Sequence, residues 1–342
     1  MIVWSDVEEL LVTNYGSFLG KTSERAVVKE NGKVVLETPF RDLRQITINT
    51  NGATLSTDLI KECMRHGIAI NFLSATGKPY AKLITPEMTG TVLTRREQLR
   101  AYDDGRGLTL AKCFVEGKLR NQVNVLKYFA KYRKGADRPA YEEICRIIGR
   151  IEEGIRELAE IRGEKIDDVR GQVMSVEGRA GNYYWEGIKI LTGDRIVFPG
   201  REHRGASDPV NSLLNYGYGM LYQQVESALI LAGLDPFGGF LHVDRSGKES
   251  LVYDFVEEFR QPVVDRVVVA LINKGFLIKL EDGSLTVETR RQFAEKVNER
   301  LESQERYQGR RHKLRTIIQI QARRVVTFLR GESKYKSFVG GW

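Results

Sequence analysis

The stretch Asp208-Pro209-Val210-Asn211 through Tyr253-Asp254-Phe255-Val256-Glu257-Glu258-Phe259 is the part of the chain from which the rest reads outward. It opens as a capped helix. Asp208 offers an acceptor to the free amides of the first turn, and Pro209 suits the first helical position. Gly233 is the expected stop. Within the helix Asn211, Asn215, Tyr218, Tyr222 and Glu226 recur at helical steps, which predicts a polar stripe along one face. Asn211, Asn215 and Tyr218 are therefore candidates to line a cleft. A turn-rich segment, Leu234-Asp235-Pro236-Phe237-Gly238-Gly239, then sets down Leu241-His242-Val243-Asp244-Arg245, and a short helix follows that carries Asp254.

His242 lies between two apolar residues, a setting that also suits a structural histidine. Asp254 borders the buried side of its helix, where a carboxylate needs a partner. Upstream, Glu177 stands mid-helix in Val176-Glu177-Gly178-Arg179-Ala180-Gly181. Gly178 and Gly181 are poor helix formers that leave room beside the carboxylate for a helix or a ligand backbone. A surface glutamate beside tolerated glycines reads the same way. One histidine with carboxylates suits Mg²⁺ or Mn²⁺ better than a thiolate metal, although no regular spacing links Glu177 to His242.

Upstream of residue 86 the chain reads as mostly strand. Short β-branched segments lie near Glu9–Val12, Ala26–Val28, Lys33–Glu37, Gln45–Ile48, Ala69–Phe72 and Tyr80–Leu83, with turns at Asn31-Gly32 and Gly77-Lys78-Pro79. One helix interrupts, capped by Ser56 and stopped by Gly67. The boundary falls in Thr85-Pro86-Glu87-Met88-Thr89-Gly90, and helical periodicity dominates beyond it. Helices are expected near Leu93–Asp103, Leu108–Tyr132 and Ala140–Arg162, and another from about Ile166. Later, Pro262 starts a helix, Asp282-Gly283 turns a hairpin, Thr289 caps a helix, and a final helix covers about Lys313–Leu329. The fold class is α+β in two domains, a small N-terminal β-sheet domain (1–86) and a larger, mostly α-helical domain (87–342).

The composition, 42% hydrophobic and 29% charged, is that of a globular protein rather than a disordered or membrane-spanning one. No signal peptide opens the chain, and Cys63, Cys113 and Cys145 lack metal spacing, so buried thiols in a reducing cytoplasm are expected. The net charge is +8, and residues 288–342 carry 14 Lys and Arg against 6 Asp and Glu, which equals the whole excess. That concentration points to a phosphate-binding surface. Lys118, Arg120, Arg201, Arg204, Arg310, Arg311, Lys313 and Arg315 are the candidates. The loop 193–207 is expected to present Arg195, Arg201 and Arg204 to phosphates, with His203 exposed.

Four segments together resemble a known family: Val176-Glu177-Gly178-Arg179-Ala180, Asp208 through Tyr218, Gly239-Phe240-Leu241-His242-Val243-Asp244-Arg245, and Ser250-Leu251 through Asp254 to Arg260. Arg96-Glu97-Gln98 and Lys118-Leu119-Arg120-Asn121-Gln122 match more weakly. The chain is similar to the CRISPR-associated adaptation integrases, the universal Cas "one" proteins of spacer acquisition, over nearly its whole length. The resemblance implies a homodimer formed through the β domains and a small ferredoxin-like adaptation partner. It implies double-stranded DNA, prespacer and repeat, as substrate, and Mg²⁺ or Mn²⁺ held by Glu177, His242 and Asp254. Some members carry a further acidic residue three positions after the aspartate; here that is Glu257, with a longer side chain. The implied reaction joins the 3′-hydroxyl ends of a DNA fragment to a CRISPR repeat, with endonuclease activity. A metal-dependent nuclease acting on branched DNA in repair is the alternative that the same site can serve.

Overall fold

The computed structural model describes residues 9–43, 45–74, 79–85, 91–202 and 208–341. His203, Arg204 and Trp342 lie outside them, as do most of the 85–90 boundary and most of the turn at 77–79. The chain separates into two compact units, Met1–Met88 and Thr89–Trp342.

The first unit is built on two four-stranded sheets and one helix. Strands β1 (Glu9–Val12), β5 (Gln45–Ile48), β7 (Ala69–Leu73) and β8 (Pro79–Leu83) form one sheet in that order, parallel except for the last pair. The other runs β4 (Lys33–Pro39), β3 (Arg25–Glu30), β2 (Phe18–Thr22), β6 (Thr54–Leu55). Asn31 and Gly32 turn β3 into β4 with φ of 49° and 76°, the left-handed pair that a two-residue hairpin requires. Helix α1 (Thr57–Arg65) starts where Ser56 Oγ accepts from the Leu59 amide at 3.2 Å, and ends at Gly67 with φ 67°. Leu19, Phe40, Ile46, Leu59 and Ile70 share one apolar core. Strand β2 escapes sequence reading because Gly20 and Lys21 break its alternation; pairing on both edges holds it.

The second unit is mostly helical: α2 (Thr91–Ala101), α3 (Gly105–Ala130), α4 (Arg138–Glu160), α5 (Ile166–Thr192), α6 (Pro209–Leu231), α7 (Ser250–Phe255), α8 (Arg266–Asn273), α9 (Val287–Glu302) and α10 (Leu314–Leu329). Helices α3, α4 and α5 pack on one another. Their apolar stripes, such as Ile144, Ile147, Ile148 and Ile151 of α4, are buried. Asp208 caps α6 as expected, accepting from the Asn211 amide at 2.9 Å.

Several expectations change here. Pro262 does not start a helix: it lies within a π-helical turn, Arg260–Asp265, that runs directly into α8. The cap of α9 is Thr286, whose Oγ1 accepts from the Thr289 amide, so Thr289 is inside. The hairpin at Asp282-Gly283 is only β9 (Leu280–Glu281) and β10 (Ser284–Leu285). A second hairpin, β11 (Gln304–Tyr307) and β12 (Arg310–Lys313), turns on Gln308 and Gly309, φ 50° and 81°, and breaks the segment before α10. Of the three cysteines only Cys63 is fully buried; Cys145 is exposed on α4. No helix among the described residues is long and apolar enough to cross a membrane.

Candidate metal centre

Three helices hold the loop that carries His242. From α2, Gln98 is buried and donates through Nε2 to the carbonyls of Asp235 and Gly238 at 2.8 Å each, while its Oε1 accepts from the Asp235 amide at 2.8 Å. From α5, Arg170 donates to the carbonyls of Phe240 and Leu241 at 3.0 Å each. From α7, Asp254 accepts the amides of Phe240, Leu241 and His242 at 2.6, 2.9 and 3.0 Å. A Cβ on Gly239 would stand 2.6 Å from the Ser250 Cβ, so the loop passes α7 too closely for any other residue.

Asp254 also meets His242 Nδ1 at 2.6 Å, and it is completely buried. Its two oxygens thus serve three amides and one ring nitrogen. A carboxylate on Nδ1 fixes the ring and directs the other nitrogen, Nε2, outward. Burial lowers the His242 pKa, but the hydrogen bond and charge of Asp254, with the charge of Glu257, more than reverse this and raise it above the ordinary value.

Glu177 stands on α5 beside Val173 and Ala180, at the edge of the face that these residues and Val176 turn to the core. Its Oε1 accepts from the Lys118 ammonium of α3. The same ammonium faces Glu257 Oε2 at 2.8 Å. That oxygen is buried, with the ammonium as its partner. The other oxygen of Glu257 takes a 2.5 Å bond from Arg260, three residues on. Burial raises the Glu257 pKa, yet the Arg260 and Lys118 charges override it and hold the carboxyl down at about 2. Arg260 in turn donates to the Tyr222 hydroxyl at 2.6 Å and lies over the rings of Tyr218 and Tyr222. Beside Glu177, nothing stands within 4 Å of where a Cβ on Gly178 or Gly181 would be, so that helix face is open.

Asn211, Asn215 and Tyr218, expected to line a cleft, are used internally. Asn211 is fully buried and binds the Gly200 carbonyl, the Glu202 amide and Arg201. Arg201 also donates to Asn215 at 2.7 Å, so its guanidinium serves to dock the 200–202 loop on α6. The Tyr218 hydroxyl donates to Asp265 at 2.6 Å, and Tyr184 donates to the same carboxylate at 2.8 Å. Arg195 donates to the Asn273 carbonyl.

The other basic candidates separate by environment. Lys118 is 8% exposed and belongs to the carboxylate cluster. Arg120 is exposed and pairs with Glu116. Lys313 and Arg315 both pair with Glu302. Arg310 and Arg311 are exposed on the β11–β12 hairpin. Arg204 lies outside the described residues. Among the described residues, the set of three whose ligand atoms lie within 4.8 Å of one another is Glu24, Glu62 and His66, in the first unit. There Glu62 already carries Lys21 and Arg65.

Sequence reasoning missed Gln98, Arg170 and Arg260 as parts of this arrangement. The signal for Arg260 was present in its i,i+3 spacing from Glu257. Gln98 stood in the weakly matching Arg96-Glu97-Gln98, but its role and that of Arg170 left no pattern, because each acts on a main chain far away in sequence.

The fold and the relatives of this chain are those of a DNA endonuclease or integrase. The model of the family "CRISPR associated protein Cas1" matches residues 10–299. A relative from Archaeoglobus fulgidus, "CRISPR-associated endonuclease Cas1 1", is 40% identical over 97% of this chain and 99% of its own length. In structure the chain is similar to a casposase bound to its integration product, with a TM-score of 0.80 at 22% identity over 96% of this chain and 92% of the other. It is also similar to a chain of a Cas6-RT-Cas1–Cas2 complex, with a TM-score of 0.77 at 18% identity over 97% of this chain and 36% of the other. The chain belongs to the CRISPR-associated Cas1 family.

Proposed function

We propose that this chain is the integrase of CRISPR spacer acquisition, joining prespacer 3′-hydroxyl ends to the CRISPR repeat by transesterification at phosphorus. With water in place of the hydroxyl, the same site cuts DNA. The observation that carries the reading is the convergence of Glu177 and Glu257 on one cationic point in the unit that holds His242 on a braced loop.

The residues fit a divalent cation. Two carboxylate oxygens, one each from Glu177 and Glu257, already converge on one positive charge. Glu177, His242 through Nε2, and Glu257 would hold Mg²⁺ or Mn²⁺, a mixed oxygen and nitrogen donor set that suits either ion. Asp254 is reassigned from ligand to positioning residue, since its oxygens are committed to the loop amides and to His242 Nδ1. Bound metal supplies Lewis-acid polarisation of the target phosphate and eases formation of the attacking alkoxide. The chain's own part is to keep Glu257 ionised through Arg260, to present a neutral His242 nitrogen, and to exclude water on the buried side. The open face at Gly178 and Gly181 gives a DNA backbone room to approach Glu177.

The exposed Arg120, Arg310 and Arg311 are the phosphate contacts of this reading, tracking duplex DNA without reading its bases. The first unit is the dimerisation domain, and a small ferredoxin-like partner bridges two dimers in the cytoplasm. A Cas1–Cas2 assembly containing a chain of similar fold supports that partner class.

Strand transfer tests the proposal. The protein, with and without its small partner, is mixed with a duplex bearing 3′-hydroxyl ends and a plasmid carrying its repeat. Metal-dependent joining, lost with EDTA and in Glu177→Ala and His242→Ala, is the expected result. Cutting without joining would select a branched-DNA nuclease, a reading that the endonuclease name of the 40% identical relative also accommodates.

A further inference from the structure

We infer that Lys118 is a built-in counter-cation of the metal site, which a divalent ion must displace in order to bind. The inference rests on the metal centre proposed above and adds a residue that works against metal binding.

The geometry is specific. Lys118 reaches from α3 to Glu177 on α5 and to Glu257 in the 3-10 turn after α7, bonding the first and standing 2.8 Å from the second. It is 8% exposed, so its charge is largely removed from water and rests on these two carboxylates. Such a lysine is stable only while paired. Its backbone is fixed as well. A Cβ on the preceding Gly117 would stand 2.7 Å from the Ser337 side chain and 3.1 Å from that of Glu258, so α3 is seated against the C-terminal segment. Asn121, one turn on, binds the carbonyls of Glu258 and Phe338 and the Gly340 amide. The ammonium can leave by rotating its own side chain, but the helix cannot follow.

The oxygens that Lys118 contacts are the two that the proposed site needs. One position cannot hold both an ammonium and a divalent cation, because each requires the same lone pairs and the two charges repel. The apparent metal affinity is therefore the intrinsic affinity reduced by the fraction of molecules in which the lysine has swung away. Arg260 does not compete, since it takes the opposite oxygen of Glu257.

The test measures Mn²⁺ binding by the full-length protein, using electron paramagnetic resonance of free Mn²⁺ and calorimetry at fixed pH. Lys118→Met removes the charge and keeps the length. It is expected to bind Mn²⁺ roughly tenfold or more tightly than the wild type, and its melting temperature is expected to rise further on Mn²⁺ addition. Lys118→Arg keeps the charge and is expected to bind no more tightly than the wild type. If Lys118→Met is unfolded without metal, Mn²⁺ is expected to refold it; failure to do so overturns the inference. Unchanged or weaker Mn²⁺ binding by a folded Lys118→Met also overturns it. Glu177→Gln and Glu257→Gln separate the two claims. If both bind Mn²⁺ like the wild type, the proposed centre itself is wrong. If both lose binding and Lys118→Met gains none, the centre stands and only the exchange falls.

Discussion

At the residue scale, Asp254 and Glu257 lie three positions apart yet do different work. Asp254 is completely buried and shares its oxygens among three amides and a ring nitrogen. Glu257 aims one oxygen at the point that Glu177 also faces. Asp254→Asn should weaken Mn²⁺ binding by roughly 10–100-fold, the usual effect of losing a carboxylate behind a histidine ligand. Glu257→Gln should weaken it more, and the reverse order would return Asp254 to the ligand set. The same pair sets a pH dependence. The His242 pKa is raised above 6.5, so the ring keeps its proton to higher pH than a free histidine. A protonated ring cannot ligate, so Mn²⁺ affinity should fall as pH drops through that raised value. Asp254→Asn removes the main raising influence and should move the decline to lower pH. A metal affinity flat down to about pH 5 would contradict ligation by His242.

At the scale of elements, the 235–242 loop has no regular structure and takes its shape from α2, α5 and α7. Gln98→Ala would remove three hydrogen bonds and leave the half-buried carbonyls of Asp235 and Gly238 without that donor. A loss of about 1–3 kcal/mol in unfolding free energy is expected, with strand transfer falling further than stability alone explains. Wild-type strand transfer by a folded Gln98→Ala protein would show that the loop does not need this clamp. The C-terminal segment is likewise an element of the core. Tyr335 and Phe338 are buried, and Glu258 accepts the Tyr335 hydroxyl and the Phe338 amide at 2.5 and 2.7 Å. Burial raises the Glu258 pKa to about 7, in spite of the donors that favour its ionised form. The folded state therefore holds a proton that the unfolded chain has already released above about 4.5. Stability should decline between those two values by on the order of 3 kcal/mol as pH rises. Urea denaturation at several pH values tests this, and Glu258→Gln should flatten the slope.

At the scale of the whole molecule, the +8 charge predicts DNA binding that weakens steeply with salt. Many of the cations counted in the sequence are tied up internally: Arg201 by asparagines, Lys118 by carboxylates, Lys313 and Arg315 by Glu302. Arg310→Ala and Arg311→Ala, on an exposed hairpin, should each reduce the salt slope by about one. Lys313→Ala should do less, and equal effects would mean that the ion pair opens on DNA binding.

The sequence by itself determined the order of the fold and marked the residues proposed for the chemistry. Alternating β-branched segments and an Asn-Gly turn mark the first unit. The Asp208-Pro209 cap and the helical steps after it mark α6, and Glu177, His242 and the acidic residues after it stand out as ionisable groups in apolar or glycine-rich settings. These are local signals, set by backbone preference and side-chain period. Which carboxylate is left to face the proposed metal was not legible, because Asp254 and Glu257 differ only in what the folded chain brings to them: main-chain amides from residues 240–242 to one, Lys118 from α3 to the other. The Gln98 and Arg170 clamps were hidden for the same reason, and so was the burial of the tail. A hydrogen bond to a distant main chain leaves no pattern in the residues around its donor; only tertiary packing decides which polar groups are already taken and which are left for a ligand.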